Sequence, residues 1–313
     1  MKKLLFAATA ALAISSCTMQ ETDNVADTPR EPIRFEAFVD KATRAEDVTT
    51  SNLNEFYVYG KIFKPGKTET IDRITVTKLN DGSWYYRDIL YWEDGAAYCF
   101  FATNNKHAAA TGTSEYECAL LVDPYVLNDF DLIAASPGGS FGHSTEPVTF
   151  RFKHVLAKLK FTFTNAYKDG HEIEIKDLQL APAYHDGRFT WWNYEDCGAW
   201  SDTHPVAIPF FGELSFTQSG EAGTITHLAI PQQLQGTDAS LKFTLVVDQK
   251  ERSCTVNIPT DVVAEWEAGH TYSYKLTVKP ETVQFEMAVK DWGSAEDADM
   301  EDLEITEDGS LTI

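Results

Sequence analysis

The stretch His154-Val155-Leu156-Ala157-Lys158-Leu159-Lys160-Phe161-Thr162-Phe163-Thr164 decides the fold. Val155, Ala157, Leu159, Phe161 and Phe163 fall on one side of an extended chain, and Lys158, Lys160, Thr162 and Thr164 on the other. Alternation with period two marks a strand that lays one face on a core. The same period recurs on either side. Leu241, Phe243, Leu245 and Val247 oppose Lys242 and Thr244, while Tyr272, Tyr274, Leu276 and Val278 alternate with Thr271, Ser273, Lys275 and Thr277. Val283, Phe285, Met287 and Val289 follow after Pro280, and shorter runs lie at 55–59, 74–79, 98–103 and 148–152.

Between these runs sit Asn80-Asp81-Gly82, Asp94-Gly95, Asp169-Gly170 and Asp186-Gly187, which read as turns that tolerate positive φ. Helix signals are few: 261–267 ahead of Gly269 and 47–54 each predict a turn or two. The class is all-β, and many short strands with Gly/Asp turns favour antiparallel β-sandwiches over parallel sheets with helical crossovers. At 313 residues the chain exceeds a single sandwich core. The polar, Gly-rich stretch 136–146 divides it into an N-terminal sandwich at 32–147 and a C-terminal one at 148–292.

Lys and Arg number 26 against 48 Asp and Glu, a formal charge of −22 that argues against nucleic acid or an anionic membrane surface as partner. The N-terminus has a different relation to membranes. Met1-Lys2-Lys3 and the apolar run from Leu4 to Ile14 form a signal peptide, 1–16, too short to span a bilayer. It ends in Ile14-Ser15-Ser16-Cys17, which resembles a bacterial lipobox, so Cys17 is the expected lipidation site. Residues 17–31 are polar and acidic, as a flexible tether would be. The remaining Cys99, Cys118, Cys197 and Cys254 allow three disulfide connectivities, and buried free thiols are an equal alternative.

Candidate chemistry is sparse. Gly138-Gly139-Ser140-Phe141-Gly142 matches the Gly-x-Ser-x-Gly nucleophile elbow, with His143 adjacent, but Pro137 precedes it and a strand follows where the elbow needs a helix. It reads as a glycine loop. No Cys-x-x-Cys, His-Glu-x-x-His or phosphate loop occurs, and neither metal nor cofactor is expected. The acidic run 297–304 lacks the glycine and ligand period of a calcium loop. Trp191, Trp192, Tyr194 and Trp200 form an aromatic cluster that either packs in the core or stacks on sugar rings.

Several landmarks, in order and spacing, resemble the fimbrillin-like (Mfa-like) lipoproteins, the type V pilus subunits of Bacteroides-type bacteria. They are Cys17, the strand 33–39 with Ala42-Thr43-Arg44-Ala45, and Leu53-Asn54-Glu55-Phe56-Tyr57-Val58-Tyr59-Gly60. Tyr91-Trp92, Tyr98-Cys99-Phe100-Phe101-Ala102, Asp131-Leu132-Ile133-Ala134-Ala135 and His154-Val155-Leu156-Ala157-Lys158-Leu159 follow. Ile230-Pro231-Gln232, Ala268-Gly269-His270-Thr271-Tyr272 and Val289-Lys290-Asp291-Trp292 complete the set.

The resemblance implies two tandem transthyretin-like antiparallel β-sandwich domains and no catalysis. It also implies a lipid anchor in the outer membrane, surface exposure, proteolytic cleavage between Arg44 and Ala45, and a place in a fimbria after processing. The partners would be other pilus subunits, joined by strand addition. An incomplete sandwich leaves backbone groups and apolar pockets open, and an incoming strand satisfies both. Beyond Trp292, the acidic tail 293–313 carries Leu303, Ile305, Leu311 and Ile313 in two alternating patches; it is either the donor strand or a hairpin on its own domain. Arg44 is either the cleavage site or an ordinary surface arginine. The alternative function is a surface glycan-binding or adhesin lipoprotein, at a pilus tip, using Trp191, Trp192 and Trp200 on a host or glycan ligand.

Overall fold

In the computed structural model, which describes residues 30–39, 48–209, 212–260, 262–280 and 283–292, every regular element is a strand. In chain order these are β1 (Phe35–Val39), β2 (Glu55–Lys64), β3 (Lys67–Lys78), β4 (Trp84–Tyr85), β5 (Ala97–Thr103), β6 (Ala109–Thr111), β7 (Ala119–Val126), β8 (Ile133–Ala135), β9 (Val148–His154) and β10 (Ala157–Asn165). There follow β11 (Ile173–Trp192), β12 (Ala199–Pro209), β13 (Leu214–Phe216), β14 (Ala222–Ala229), β15 (Gln232–Gln233), β16 (Ser240–Val247), β17 (Lys250–Asn257), β18 (Glu265–Trp266), β19 (His270–Val278) and β20 (Val283–Asp291).

The first sheet has the order β1-β9-β8-β5-β2-β3-β4. Its middle strand β5, Ala97-Tyr98-Cys99-Phe100-Phe101-Ala102-Thr103, is an unbroken apolar run because both of its faces are covered. Tyr98, Phe100 and Ala102 enter one core with Phe35, Phe56, Phe150 and Phe152, whereas Cys99 and Phe101 enter a second core with Leu120 and Trp191. That second core is shared with two further sheets, β17-β16-β11-β7-β6 and β14-β10-β19-β20. Phe163 of β10 meets Phe243 of β16 edge to face at 5.2 Å, which closes the third sheet on the second. Gln232–Gln233 and Glu265–Trp266 make a separate two-stranded ladder.

The alternation in β10 sets its register. Leu159, Phe161 and Phe163 are fully buried, each worth roughly 1.5–3 kcal/mol, and a slip of one residue would exchange them for Lys160, Thr162 and Thr164. Lys158 departs from the pattern. It is buried, and its ammonium lies 4.9 Å from the Trp292 ring, so a cationic head rests on an aromatic face while its stem fills the core.

Several sequence expectations change. Two pairings are parallel, β1 with β9 and β10 with β19, where sheets antiparallel throughout were expected. These partners are far apart in sequence, so no hairpin dictates their direction. Pairing also crosses the expected division at 147/148, since β9 begins at Val148 yet joins the first sheet. The two helical stretches are absent among the described residues: 50–52 form a turn and Glu265–Trp266 is strand.

Asp186-Gly187 is not a turn but lies inside β11, the long strand whose first half pairs with β16 and whose second half pairs with β7. A register shift occurs there against both β7 and β12. Glycine is needed for closeness, since a Cβ at 187 would come within 2.8 Å of the Thr203 methyl and 3.2 Å of the Ser201 carbonyl.

His227 on β14 is buried, and burial pulls its pKa down to about 4 against the opposing charge of Asp129. A depressed folded pKa means that its contribution is complete above pH 6.5 and is lost as pH falls toward 4, where the unfolded chain takes up the proton first. Between pH 7 and 4 this site should cost about 3 kcal/mol of stability. His227→Gln should flatten that part of the slope, measured by denaturant unfolding across pH for both chains.

Candidate functional site

β1 is the edge of the first sheet. Phe35, Ala37 and Val39 are buried, Glu36 and Phe38 face out, and β9 alone pairs with it among the described strands, in the register Phe35 to Val148 through Val39 to Phe152. The Phe35 ring sits 5.1 Å from that of Tyr86 and 5.7 Å from those of Phe100 and Phe150. Phe38, 44% exposed, carries the Arg151 guanidinium over its ring at 5.7 Å. The strand is thus anchored by its side chains on one face and by its backbone on one edge.

Both ends of its free edge are clamped. Before the strand, Ile33 N–H donates to the Leu90 carbonyl at 2.8 Å and the Tyr86 hydroxyl donates to the Ile33 carbonyl at 2.6 Å. Burial pushes the Tyr86 hydroxyl up to about 12, against the bond it accepts from the Leu90 amide, so it stays a neutral donor. Arg34 donates to the Thr145 carbonyl. After the strand, the Thr50 hydroxyl accepts from Val39 N–H at 2.8 Å and donates to the Val39 carbonyl at 3.1 Å.

Between the clamps lies a groove of about 740 Å³. One wall is Arg34, Phe35, Ala37 and Phe38; the other is Trp84, Tyr85, Tyr86 and Ile89. In strand order β1 and β4 are the opposite edges of the sheet, yet both line this groove, so the sheet curls until its edges nearly meet without pairing. Strand edges left in this state expose backbone donors and acceptors beside apolar side chains. Thr50 and the run Trp84-Tyr85-Tyr86 did not stand out in the sequence. The visible signal was three consecutive aromatics one residue after the Asn80-Asp81-Gly82 turn.

The other predicted site residues scatter. Cys17, Arg44, Ala45, Leu303, Ile305, Leu311 and Ile313 lie outside the described residues. Trp191 and Trp200 share the core face and Trp192 points away from it: Trp191 is buried and donates to the Glu195 carbonyl, Trp200 packs on Tyr125 and Phe189 at 5.2 and 5.3 Å, and Trp192 is 44% exposed. The exposed aromatics here are Trp192, Tyr194 and Tyr116, the last two stacked at 5.6 Å. Ser140 is in a loop held by paired bonds between Tyr98 and Phe141, with no helix behind it among the described residues. His143 reaches only the exposed Asp94, at 4.0 Å. The arrangement is one of loop architecture, without a nucleophile-base pair.

The model of the Fimbrillin-like family matches residues 43–292. No curated protein matches the chain. Among solved structures, a fimbrial protein from Bacteroides vulgatus ATCC 8482 superposes with TM-score 0.52 at 16% identity, covering 83% of this chain and 99% of its own. A protein of Bacteroides uniformis ATCC 8492 with a provisional cell-adhesion name gives TM-score 0.53 at 15% identity over 84% and 99%. One of Bacteroides ovatus ATCC 8483, similarly named, gives 0.52 at 14% over 84% and 98%. At these identities the likeness is one of fold. The family match runs from before β2 to the residue after β20, through both cores, and so the chain belongs to the fimbrillin-like family, a family of structural fimbrial proteins rather than enzymes.

Proposed function

We propose that this chain is a fimbrial subunit that assembles by strand exchange. It is exported as a lipoprotein through Cys17 and held at the outer membrane. Cleavage after Arg44 frees β1, and the alternating strand of another copy takes its place. One observation carries this reading: β1 has three buried side chains, a single neighbour among the described strands, and an end at Val39 only a few residues before Arg44. A cut there would leave β1 attached to the body by non-covalent contacts alone.

The energetics agree. Loss of β1 would open the Phe35 and Val39 positions, each worth roughly 1.5–3 kcal/mol of burial, and strand the outer edge of β9. Leu303 and Ile305, like Leu311 and Ile313, repeat the i, i+2 spacing of Phe35, Ala37 and Val39. Burying all four would return roughly 6–12 kcal/mol gross before ordering costs. The adhesin reading rests on different residues, the exposed Trp192, Tyr194 and Tyr116, and it would be supported by glycan-array binding that Trp192→Ala abolishes.

Arginine-specific proteolysis of the purified chain should yield a product beginning at Ala45 that forms ladders on native gels. Arg44→Ala should block both events, and a chain ending at Trp292 should be cut without polymerising. A cut product that stays monomeric at high concentration would sink the assignment. Phe35→Ala should weaken the hold on β1 by about 3–5 kcal/mol and speed its release after cleavage, read by hydrogen exchange at 35–39. Phe38→Ala, on the outer face, should leave that rate nearly unchanged.

A further inference from the structure

We propose that Cys99 and Cys118 form a disulfide in the surface-exposed protein, tying β5 of the first sheet to the start of β7 in the second. Both are fully buried free thiols in this structure, and Asn193 ties them to one place: its side-chain amide donates to Cys99 Sγ at 3.1 Å and its backbone N–H to the Cys118 carbonyl at 2.9 Å. They come from different sheets, brought together where the inner face of β5 meets the strand ladder β6-β7-β11. Cys254, by contrast, has its thiol on the Arg252 carbonyl, and Cys197 is exposed. This inference rests on the surface location that family membership implies and is independent of strand exchange.

The surroundings are built to tolerate the bond. Asn193, itself buried, donates its amide to Cys99 Sγ at 3.1 Å, to the Glu115 carbonyl at 3.2 Å and to the Gly139 carbonyl at 2.8 Å, while its backbone N–H bonds the Cys118 carbonyl at 2.9 Å. The one backbone acceptor of the Cys99 thiol is the Glu115 carbonyl, at 3.7 Å. Oxidation removes that S–H donor, but the Glu115 carbonyl keeps the Asn193 amide and Cys99 Sγ keeps its own donor. No polar group is orphaned by the change.

The bond between the thiols raises the Cys99 pKa, with burial adding to it, and the same bond lowers that of Cys118, aided by the Lys61 charge and opposed by burial. During folding one thiolate, taken here as Cys118, attacks an external disulfide, R–S–S–R, releasing one R–S⁻ and forming a mixed disulfide. Cys99, giving up its proton, displaces the second R–S⁻. Two electrons pass to the external disulfide, and the two thiol protons end on two R–SH. Since both sulfurs are sealed in the finished fold, the exchange belongs to folding, before the 112–118 loop closes, and the product is afterwards shielded from reductants.

The test uses the full chain, exported and purified without reductant, then unfolded in the presence of N-ethylmaleimide and digested with trypsin. Cys99 and Cys118 lie alone in peptides 88–106 and 107–151. The expected result is one species with the summed mass of both less two hydrogens, which separates on adding dithiothreitol. Recovery of both peptides carrying the maleimide from unreduced protein would overturn the proposal. The closed loop is about 20 residues, so unfolding the wild-type chain in dithiothreitol and refolding it reduced should lower its Tm by roughly 5–10 °C. Cys118→Ala should be indifferent to reductant, and a wild-type Tm that does not respond would equally count against the bond.

Discussion

An edge strand answers to two demands that conflict: its side chains want the core, and half of its backbone is left to water. β1 sits at that conflict. Phe35, Ala37 and Val39 hold it in the first core, but among the described strands only β9 pairs with it, so everything on its outer side must stand in for a missing neighbour. Thr50 and the Ile33–Leu90 bond cap the two ends, and the curled edge that brings Trp84, Tyr85 and Tyr86 opposite shields the middle without hydrogen-bonding it. The groove is the space that this compromise leaves. A strand secured mainly by side chains and one ladder is also the element that a single nearby cut detaches most readily.

The body around it is built to survive such a loss. β5 is covered on both faces, so the core against the second and third sheets is distinct from the one that contains Phe35. β11 runs the length of the second sheet, pairing with β16 and β13 in its first half and mostly with β7 and β12 in its second, and Asn193 just beyond it binds two loops and β5 at once. Departure of β1 would open the first core only. The second, with Phe161, Phe163, Phe243 and Tyr274, touches neither β1 nor its clamps.

What could be read in the sequence were the half-buried strands. β10, β16, β19 and β20 announce themselves by alternation because one face meets core and the other meets solvent. Features decided by distant parts of the chain were illegible. The direction of β1 beside β9 depends on a partner more than a hundred residues away, and Asp186-Gly187 has turn chemistry but is kept extended by β7 on one side and β12 on the other. The different exposure of the tryptophans has a local reason that was available. Trp191 and Trp192 are neighbours in a strand, so they point to opposite faces, and here one face is core and the other solvent. The edge strand β1 was half visible, since the Phe35-Glu36-Ala37-Phe38-Val39 alternation marks the strand but nothing marks what faces its outer edge.

Net charge bears on which kind of contact could join copies of such a molecule. At −22, two copies repel over the Debye length, so a contact between their surfaces would start with an electrostatic penalty and would weaken as salt is withdrawn. A contact made by inserting a strand draws its free energy from apolar side chains entering a preformed slot and from ladder hydrogen bonds, neither of which depends on the sign of the surface. Repulsion then slows encounter without loosening the finished joint, and it discourages every nonspecific alternative along the way. The groove carries its own small exception. Arg34 and Lys78 line it beside a single acid, Glu36, and donate to the backbone carbonyls of Thr145 and Thr50, which leaves their charges available to an acidic sequence such as the one around Leu303 and Ile305. Attraction confined to the slot, within a surface that otherwise repels, would make the proposed strand exchange selective as well as strong.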